Sequence, residues 1–363
     1  MGTPHATQLA ALQEHAAGLL GARPDLVWEP PFAGPEEGFR NKAKMVAGGT
    51  VEQPTLGILD AGGHGVDLRS CGLHEPVLRE ALPVLAAFVT RAGLRPYDVP
   101  TRRGELKHVL ATASPDGELM VRWVLRTSES LPRIRKHLPW LRERLPHLAV
   151  VSANLQPEHK AVLEGEQEVL LGPQRTLAMR LAGLELRLRP QGFFQTDTVV
   201  AAALYDQART WVRDLGARRA WDLYCGVGGF AQAVAGAGVD DVLGVELNAE
   251  AVEAATRGAR EAGLGGLRFA ATDVTTWIDG PDAPPFPDLV VVNPPRRGVG
   301  EDLAGRLEAS DVAHVLYSSC RTESLVRDLA AMPSLRPVRA RVFDMFPQTR
   351  HHEVLVLLRR TPR

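Results

Sequence analysis

Apolar and polar positions divide the chain into two textures. From about residue 197 onward, short apolar runs alternate with segments of helical periodicity, and the runs fall at 219–223, 241–246, 267–270, 288–292, 312–317, 336–343 and 353–358. Strands alternating with helices predict a parallel, doubly wound α/β sheet of seven strands. Only a short turn separates the last two runs, so they are expected as an antiparallel hairpin at the sheet edge. Before residue 190 the pattern differs. Residues 5–21 read as an amphipathic helix, followed by a loop containing Pro30, Pro31, Gly34 and Pro35. Residues 38–49 read as a strand, 75–93 as a helix, and 106–114 and 119–127 as strands joined at Pro115-Asp116-Gly117, a hairpin signal. A helix around 130–145 and strands near 149–156 and 167–171 complete an α+β module. The expected organisation is an N-terminal helix and loop (1–34), a central α+β module (35–190) and a doubly wound domain (191–363).

The doubly wound part begins with the stretch Trp221 to Phe230. A strand-like run from Arg219 reaches Asp222, breaks at Gly226, Gly228 and Gly229, and enters an Ala-rich helical segment. Glycines let a backbone approach a ligand where a Cβ would clash, and a helix start offers unpaired N–H groups. Twenty positions after Gly226 the next run ends in Glu246, a carboxylate placed to take ribose hydroxyls. The loop does not match G-x-G-x-x-G, and it suits S-adenosylmethionine, which carries no pyrophosphate, better than NAD. The bland alternative is a glycine turn that only packs strand on helix. With the cofactor reading, the seven runs form a Rossmann-like methyltransferase sheet.

Ligands of open α/β sheets sit at the carboxyl ends of the strands. Asp222 and Glu246 occupy two such ends. Asn293, opening NPPRRG after an apolar run, occupies a third, with two prolines to fix the backbone beyond it. A fourth run delivers Cys320, followed at once by a helical segment. With that helix start and Arg296, Arg297 and Arg321 nearby, a thiolate is expected to be favoured, as a nucleophile requires. Glu353 opens the last strand, where partial desolvation should raise its pKa toward that of a general base. His351 and His352 precede it, but adjacent residues on an extended strand face opposite ways, so no metal site is expected. Gln195, just before a helix at 197–214, offers an amide to the methionine carboxylate or ammonium of the cofactor.

Composition adds limits. The chain has 363 residues, 45% hydrophobic and 23% charged, with no apolar run long enough to span a membrane. Its N-terminus lacks the basic and apolar regions of a signal peptide, so a cytoplasmic protein is expected. Cys71, Cys225 and Cys320 are far apart and form no CxxC, leaving no basis for a disulfide framework. The net charge of −1 does not announce a nucleic-acid binder, yet basic residues bunch locally at Arg102, Arg103, Lys107 and His108 and at Arg133, Arg135, Lys136 and His137. Arg40, Lys42 and Lys44 alternate along the 38–49 run, which places them on one strand face as phosphate contacts or as a solvated face.

Together, FRNKAKM, RGELKH, GFFQT, DLYCGVGGF, VNPPRRG, YSSC and FDMFPQTRHHEVLVLL closely resemble the RNA uracil-C5 methyltransferase family. The resemblance runs from about residue 35 onward and is strongest to the branch that modifies a uridine of 23S ribosomal RNA. It implies a central RNA-binding module and a C-terminal methyltransferase domain dependent on S-adenosylmethionine, without the N-terminal β-barrel of some relatives. It implies an enzyme that forms 5-methyluridine, with ribosomal RNA as its partner and neither membrane nor protein partner expected. Its cofactor contacts fall on Gln195, Tyr224, Glu246 and Asn293, beside Asp222 and Gly226 of the loop, with Asp273 toward the adenine amino group. Its nucleophile falls on Cys320 and its base on Glu353, while Arg40, Lys42, Lys44 and Arg296 are expected to hold RNA. The thiolate adds to uracil C6, making C5 nucleophilic, and the base later removes the C5 proton.

Two departures stand out. Relatives hold a 4Fe–4S cluster with cysteines near the N-terminus, and only Cys71 matches that set, so the cluster is expected to be absent. Arg321 follows the nucleophile where the family commonly has Asn. Two other readings compete. An amino-group methyltransferase acting on adenine or cytosine uses an Asn-Pro-Pro-aromatic loop, but Arg296 replaces the aromatic and Cys320 is left without a task. A non-catalytic RNA-binding assembly factor leaves the Cys320 and Glu353 pair unexplained.

Overall fold

The structure, a computed structural model, describes residues 3–160, 162–280 and 283–361. The chain forms two compact units. The first comprises the N-terminal segment through Glu36, the stretch Arg180–Arg187 and the residues from Gly192 onward; the second comprises Glu37–Met179 and Leu188–Gln191.

The first unit is α/β. Among the described residues its main sheet has nine strands. Five run parallel in the spatial order Leu267–Ala271, Asp241–Glu246, Arg219–Leu223, Leu289–Val292 and His314–Ser319. Glu353–Arg360 then pairs antiparallel with His314–Ser319, and Leu335–Asp344 pairs antiparallel with Glu353–Arg360. These are the seven runs expected from the sequence. Of the central ones, Leu289–Val292 (LVVV) is apolar throughout because both of its faces are covered. From Arg219–Leu223 the chain steps outward to Asp241–Glu246 and Leu267–Ala271, then returns to the opposite side at Leu289–Val292. That reversal opens a crevice at the carboxyl ends of Arg219–Leu223 and Leu289–Val292.

The structure corrects the expected edge. The hairpin does not end the sheet, because Val27–Trp28 and Phe32–Ala33 add parallel to Leu335–Asp344. The expected boundaries shift for the same reason. The helix His5–Leu20 buries Leu12, Ala16 and Leu20 in the core that holds Val354 and Val356, so residues up to Glu36 belong to this unit and do not stand apart. The hairpin Leu177–Leu181 and Leu184–Leu188, placed by the sequence in the central module, contributes Arg180–Arg187 to this unit as well; Gln232 holds it by accepting from the Glu185 N–H and donating to its carbonyl.

The second unit is a seven-stranded sheet in the order Gly65–Asp67, Pro54–Leu59, Lys42–Gly49, Leu106–Ala113, Leu119–Leu125, Leu148–Leu155 and Gln167–Leu170. Its pairs are antiparallel except Leu119–Leu125 with Leu148–Leu155, which a helix connects. The helices Pro76–Arg91 and Leu131–Arg144 share one core with Met45, Val109, Val121, Trp123 and Val151. Some of the alternate positions are polar. Arg122, Ser152 and Asn154, all buried, form a network with the partly buried Glu168, the Arg122 Nε donating to Glu168 Oε1 at 3.0 Å.

Candidate active site

Strand register aligns the expected residues at the crevice. Val245, Leu223, Val292 and Tyr317 are successive cross-strand partners, so Glu246, Tyr224, Asn293 and Ser318 form the next row, at the carboxyl ends. Val354 pairs with Ser319, which brings Glu353 level with Cys320.

The glycine loop fills one end of this row. Tyr224 has φ +63°, and Gly226 and Gly228 have φ +53° and +82°. A β-carbon on Gly228 would meet the Phe269 ring at 2.9 Å, whereas one on Gly226 would enter open space. Glu246 takes the Gly226 N–H at 3.1 Å on one oxygen and the Asn248 N–H at 3.0 Å on the other. Asp222 is only 1% exposed and accepts the Ala231 N–H at 2.8 Å. Burial lifts its carboxyl to about 8.

The NPPRRG loop is clamped from below. Asp328, buried, takes the Val299 N–H at 2.7 Å and the Tyr317 hydroxyl at 2.6 Å on one oxygen. Ser324 donates to the Arg296 carbonyl at 2.7 Å, and Arg327 donates to the Arg297 carbonyl. The loop can lie this close because Gly298 has φ +84° and no side chain; a β-carbon there would sit 2.3 Å from Asp328.

The Glu353 charge acts on Cys320. Glu353 is buried and accepts the Ser318 hydroxyl at 2.6 Å. Burial lifts its carboxyl to about 7, against the opposing effect of that bond. Burial and the Glu353 charge push the Cys320 thiol above its ordinary value, while Arg296, within hydrogen-bonding reach of the sulfur, pulls the other way. The expected favoured thiolate is therefore not found at rest. Arg321 turns to Glu323 at 3.7 Å, and the Arg297 charge acts on Tyr224, so Arg296 is the cation that serves the sulfur.

This order of residues has known counterparts. The profile described as tRNA (Uracil-5-)-methyltransferase matches residues 286–361, which include Asn293, Arg296, Cys320 and Glu353. A protein named 23S rRNA (uracil(747)-C(5))-methyltransferase RlmC, from Yersinia pestis (strain Pestoides F), is 46% identical over 356 residues, covering 98% of this chain and 94% of that protein. Its namesake from Halothiobacillus neapolitanus is 48% identical over 364 residues, covering 99% and 95%. The chain belongs to the RNA uracil-C5 methyltransferase family. The fold agrees. The crystal structure of Pyrococcus abyssi tRNA (uracil-54, C5)-methyltransferase in complex with S-adenosyl-L-homocysteine superposes with a TM-score of 0.78 at 22% identity, covering 98% of this chain and 83% of that one.

Within this uracil-C5 methyltransferase, the other expected residues have the following surroundings. Asp222 lies beneath the loop and steadies it. Asp273 caps the helix Val274–Ile278, accepting the Thr275 and Thr276 N–H groups at 3.0 and 3.1 Å on one oxygen. Gln195 is buried two residues before Asp197, which caps the helix Thr198–Arg213. Arg40, Lys42 and Lys44 belong to the second unit. Arg40 precedes the strand and donates to the Lys42 carbonyl at 3.1 Å. Lys42 is buried, and burial together with Lys44 and Arg122 pulls its ammonium down to about 8. Of the three, Lys44 alone matches the picture of an exposed strand-face charge. Lys107 is likewise buried, donating to the Glu158 carbonyl at 2.6 Å. His351 is exposed, whereas His352 is buried against the Thr322 hydroxyl at 2.9 Å. Cys71 is a free, partly buried thiol.

Two residues escaped the sequence reading. Ser318 gave only a weak signal, a hydroxyl two positions before Cys320. Tyr205 is buried against Phe230, and its phenol is pushed up by burial and by the charges of Asp222 and Glu353. Its ring and hydroxyl pack against Gly229, where a β-carbon would collide with them.

Proposed function

We propose that this chain methylates C5 of a uridine in 23S ribosomal RNA in the cytoplasm, with S-adenosylmethionine as methyl donor. The observation that carries the reading is the pairing of Cys320 with a buried Glu353 beside the crevice that holds Glu246 and Asn293. Among the described residues no helix is long and apolar enough to cross a membrane.

The residues present fit the cofactor. The open space over Gly226 is a cradle that a β-carbon would fill, and Glu246, oriented by two backbone N–H groups, suits a ribose diol. Tyr224, Asn293, Gln195, Asp222 and Asp273 complete the candidate contacts. Bound there, S-adenosylmethionine supplies an electrophilic methyl group. The remaining chemistry belongs to the chain. Once deprotonated, the Cys320 sulfur bonds to uracil C6, and the ring electrons move onto the O4 enolate so that C5 becomes a nucleophile. After C5 is methylated, Glu353 takes its proton; the electrons restore the C5–C6 double bond and expel the thiolate. A carboxylate that titrates near neutrality is basic enough for this step and still ionised in a useful fraction. Arg296 favours the sulfur anion at the start and end of the cycle. The base reaches this pocket flipped out of its RNA loop.

RNA carrying 5-fluorouridine tests the proposal, since fluorine cannot leave as a proton does. Wild-type protein with S-adenosylmethionine is expected to form an adduct that survives denaturation, and Cys320→Ala none. Methyl transfer by Cys320→Ala at the wild-type rate would overturn the mechanism. The uridine equivalent to position 747 of the named relatives is the first target to map for 5-methyluridine.

A further inference from the structure

The helix Leu131–Arg144 buries Leu131, Ile134, Leu138 and Leu141 and turns a basic face outward, with Arg133, Arg135, Lys136, Arg142 and Arg144 against the single carboxylate of Glu143. Trp140 lies half-buried on that face. Its ring stacks on Phe88 with centroids 6.4 Å apart. The Arg144 guanidinium lies 5.5 Å from the Trp140 ring centroid, and that of Arg91, from the last turn of Pro76–Arg91, lies 5.1 Å from it. Lys136 is one turn before Trp140 on the same stripe. Arg91, Lys136 and Arg144 are exposed and have no ion-pair partner among the described residues. Arg133 differs, being held by Glu129 at 2.7 Å and by the Gly93 carbonyl at 3.0 Å.

A ring beneath a guanidinium fixes its plane without using its N–H donors or neutralising its charge. A free surface arginine loses rotamer freedom when it grips an anion; one already braced loses less. Gathering cations without carboxylates costs repulsion that only an anionic partner offsets. The planar fork matches phosphate, and the Trp140 ring, already in contact with Phe88 and two guanidiniums, is not offered to a base. Recognition here is therefore of backbone and not of sequence.

We infer that Arg91 and Arg144, braced by Trp140, form with Lys136 a phosphate clamp for the backbone of the substrate RNA. The clamp is built wholly within the second unit and shares no residue with the methylation site. The inference rests on the reading of the chain as an RNA methyltransferase.

The test uses the full chain, a transcript of the 23S region around the uridine equivalent to position 747 with its flanks, and the variants R91Q/K136Q/R144Q and Trp140→Leu. Binding is measured across a salt series and methylation at saturating RNA, with melting curves to confirm folding. The triple variant is expected to bind roughly ten-fold more weakly at physiological salt and to flatten the slope of log affinity against log salt by about 2, each phosphate contact contributing about 0.7 to 0.9. KM should rise with kcat unchanged. Trp140→Leu keeps every charge but frees two guanidiniums, so its affinity should fall while its slope stays near that of the wild type. Unchanged affinity and slope in the triple variant, with wild-type protein methylating normally, overturn the clamp and leave the activity standing; a fall confined to kcat overturns it too. Wild-type protein that neither binds nor methylates the RNA overturns both readings.

Discussion

Ser318 donates its hydroxyl hydrogen to Glu353 Oε1 at 2.6 Å, and both side chains are buried. The bond favours the ionised carboxylate, opposing the burial that lifts it to about 7. As a base, Glu353 works only when unprotonated, so activity is present above that pKa and is lost as pH falls through it. Ser318→Ala removes the downward pull and should move the acidic limb of the kcat profile to higher pH. The variant should be several-fold slower at pH 7 and recover in mildly alkaline buffer. A uniform loss at every pH would indicate that Ser318 has only a packing role.

Glu353→Gln separates the two chemical steps. Addition at C6 remains open and elimination is blocked, so the methylated RNA should stay covalently attached to Cys320, with turnover down by roughly 100-fold or more. Electrophoresis under denaturing conditions reads the adduct on ordinary uridine RNA. Free methylated product without an adduct would assign proton removal elsewhere.

The same substitution should stabilise the fold in alkali. A carboxyl whose folded pKa exceeds its unfolded value binds more protons when folded, so stability falls as pH rises from about 4.5 to about 7 and stays reduced above. Glutamine carries no such penalty. Melting or urea titration should find Glu353→Gln more stable than wild type at pH 8, by on the order of 3 kcal/mol, with the advantage gone near pH 4. Equal stability at pH 8 would contradict the burial of an ionised Glu353.

Glu246 accepts one backbone N–H on each oxygen, which aims the carboxylate before any ligand arrives. Glu246→Ala should weaken binding of S-adenosylhomocysteine by roughly 10- to 100-fold, as for a charge-assisted hydrogen bond. Titration calorimetry on the protein without RNA measures this directly, and wild-type affinity would remove Glu246 from the cofactor site.

Gly298→Ala tests the clamp under the NPPRRG loop. The new methyl would collide with the Asp328 carboxylate and hold a positive φ, so the loop must shift and carry Arg296 with it. Slower adduct formation on 5-fluorouridine RNA is expected, with a loss of about 1–3 kcal/mol in stability. Arg296→Gln should reproduce the kinetic loss without the loss in stability.

The doubly wound sheet was legible because most of its strands are apolar-rich runs, with a polar residue standing at or next to the carboxyl end. That is how Asp222, Glu246, Asn293 and Cys320 could be placed at one edge from sequence alone. What sequence could not supply were contacts made across the fold. Cys320 is raised by burial and by Glu353, which, 33 positions away, returns beside it on an antiparallel strand, and neither residue announces the other. Period two placed Lys42 and Lys44 on one face correctly but says nothing of what covers that face, and Lys42 proved to be buried. Val27–Trp28 and Phe32–Ala33 are too short to show any period. The hairpin turn at Ala182-Gly183, both with positive φ, was a readable signal between two alternating runs and was overlooked.

Val27–Trp28 and Phe32–Ala33 join the sheet only through Leu335–Asp344, which in turn is held by Glu353–Arg360. Val27–Trp28 and Phe32–Ala33 must therefore wait until the ribosome has delivered Leu335–Asp344 before they find their partner, whereas Glu37–Met179 holds almost all of its own unit and has its strands in hand much earlier. Translation thus imposes a sequence of events: the second unit matures first, and the catalytic sheet is sealed only once Glu353–Arg360 has emerged, so a nascent chain that stops short of it carries no finished methylation site.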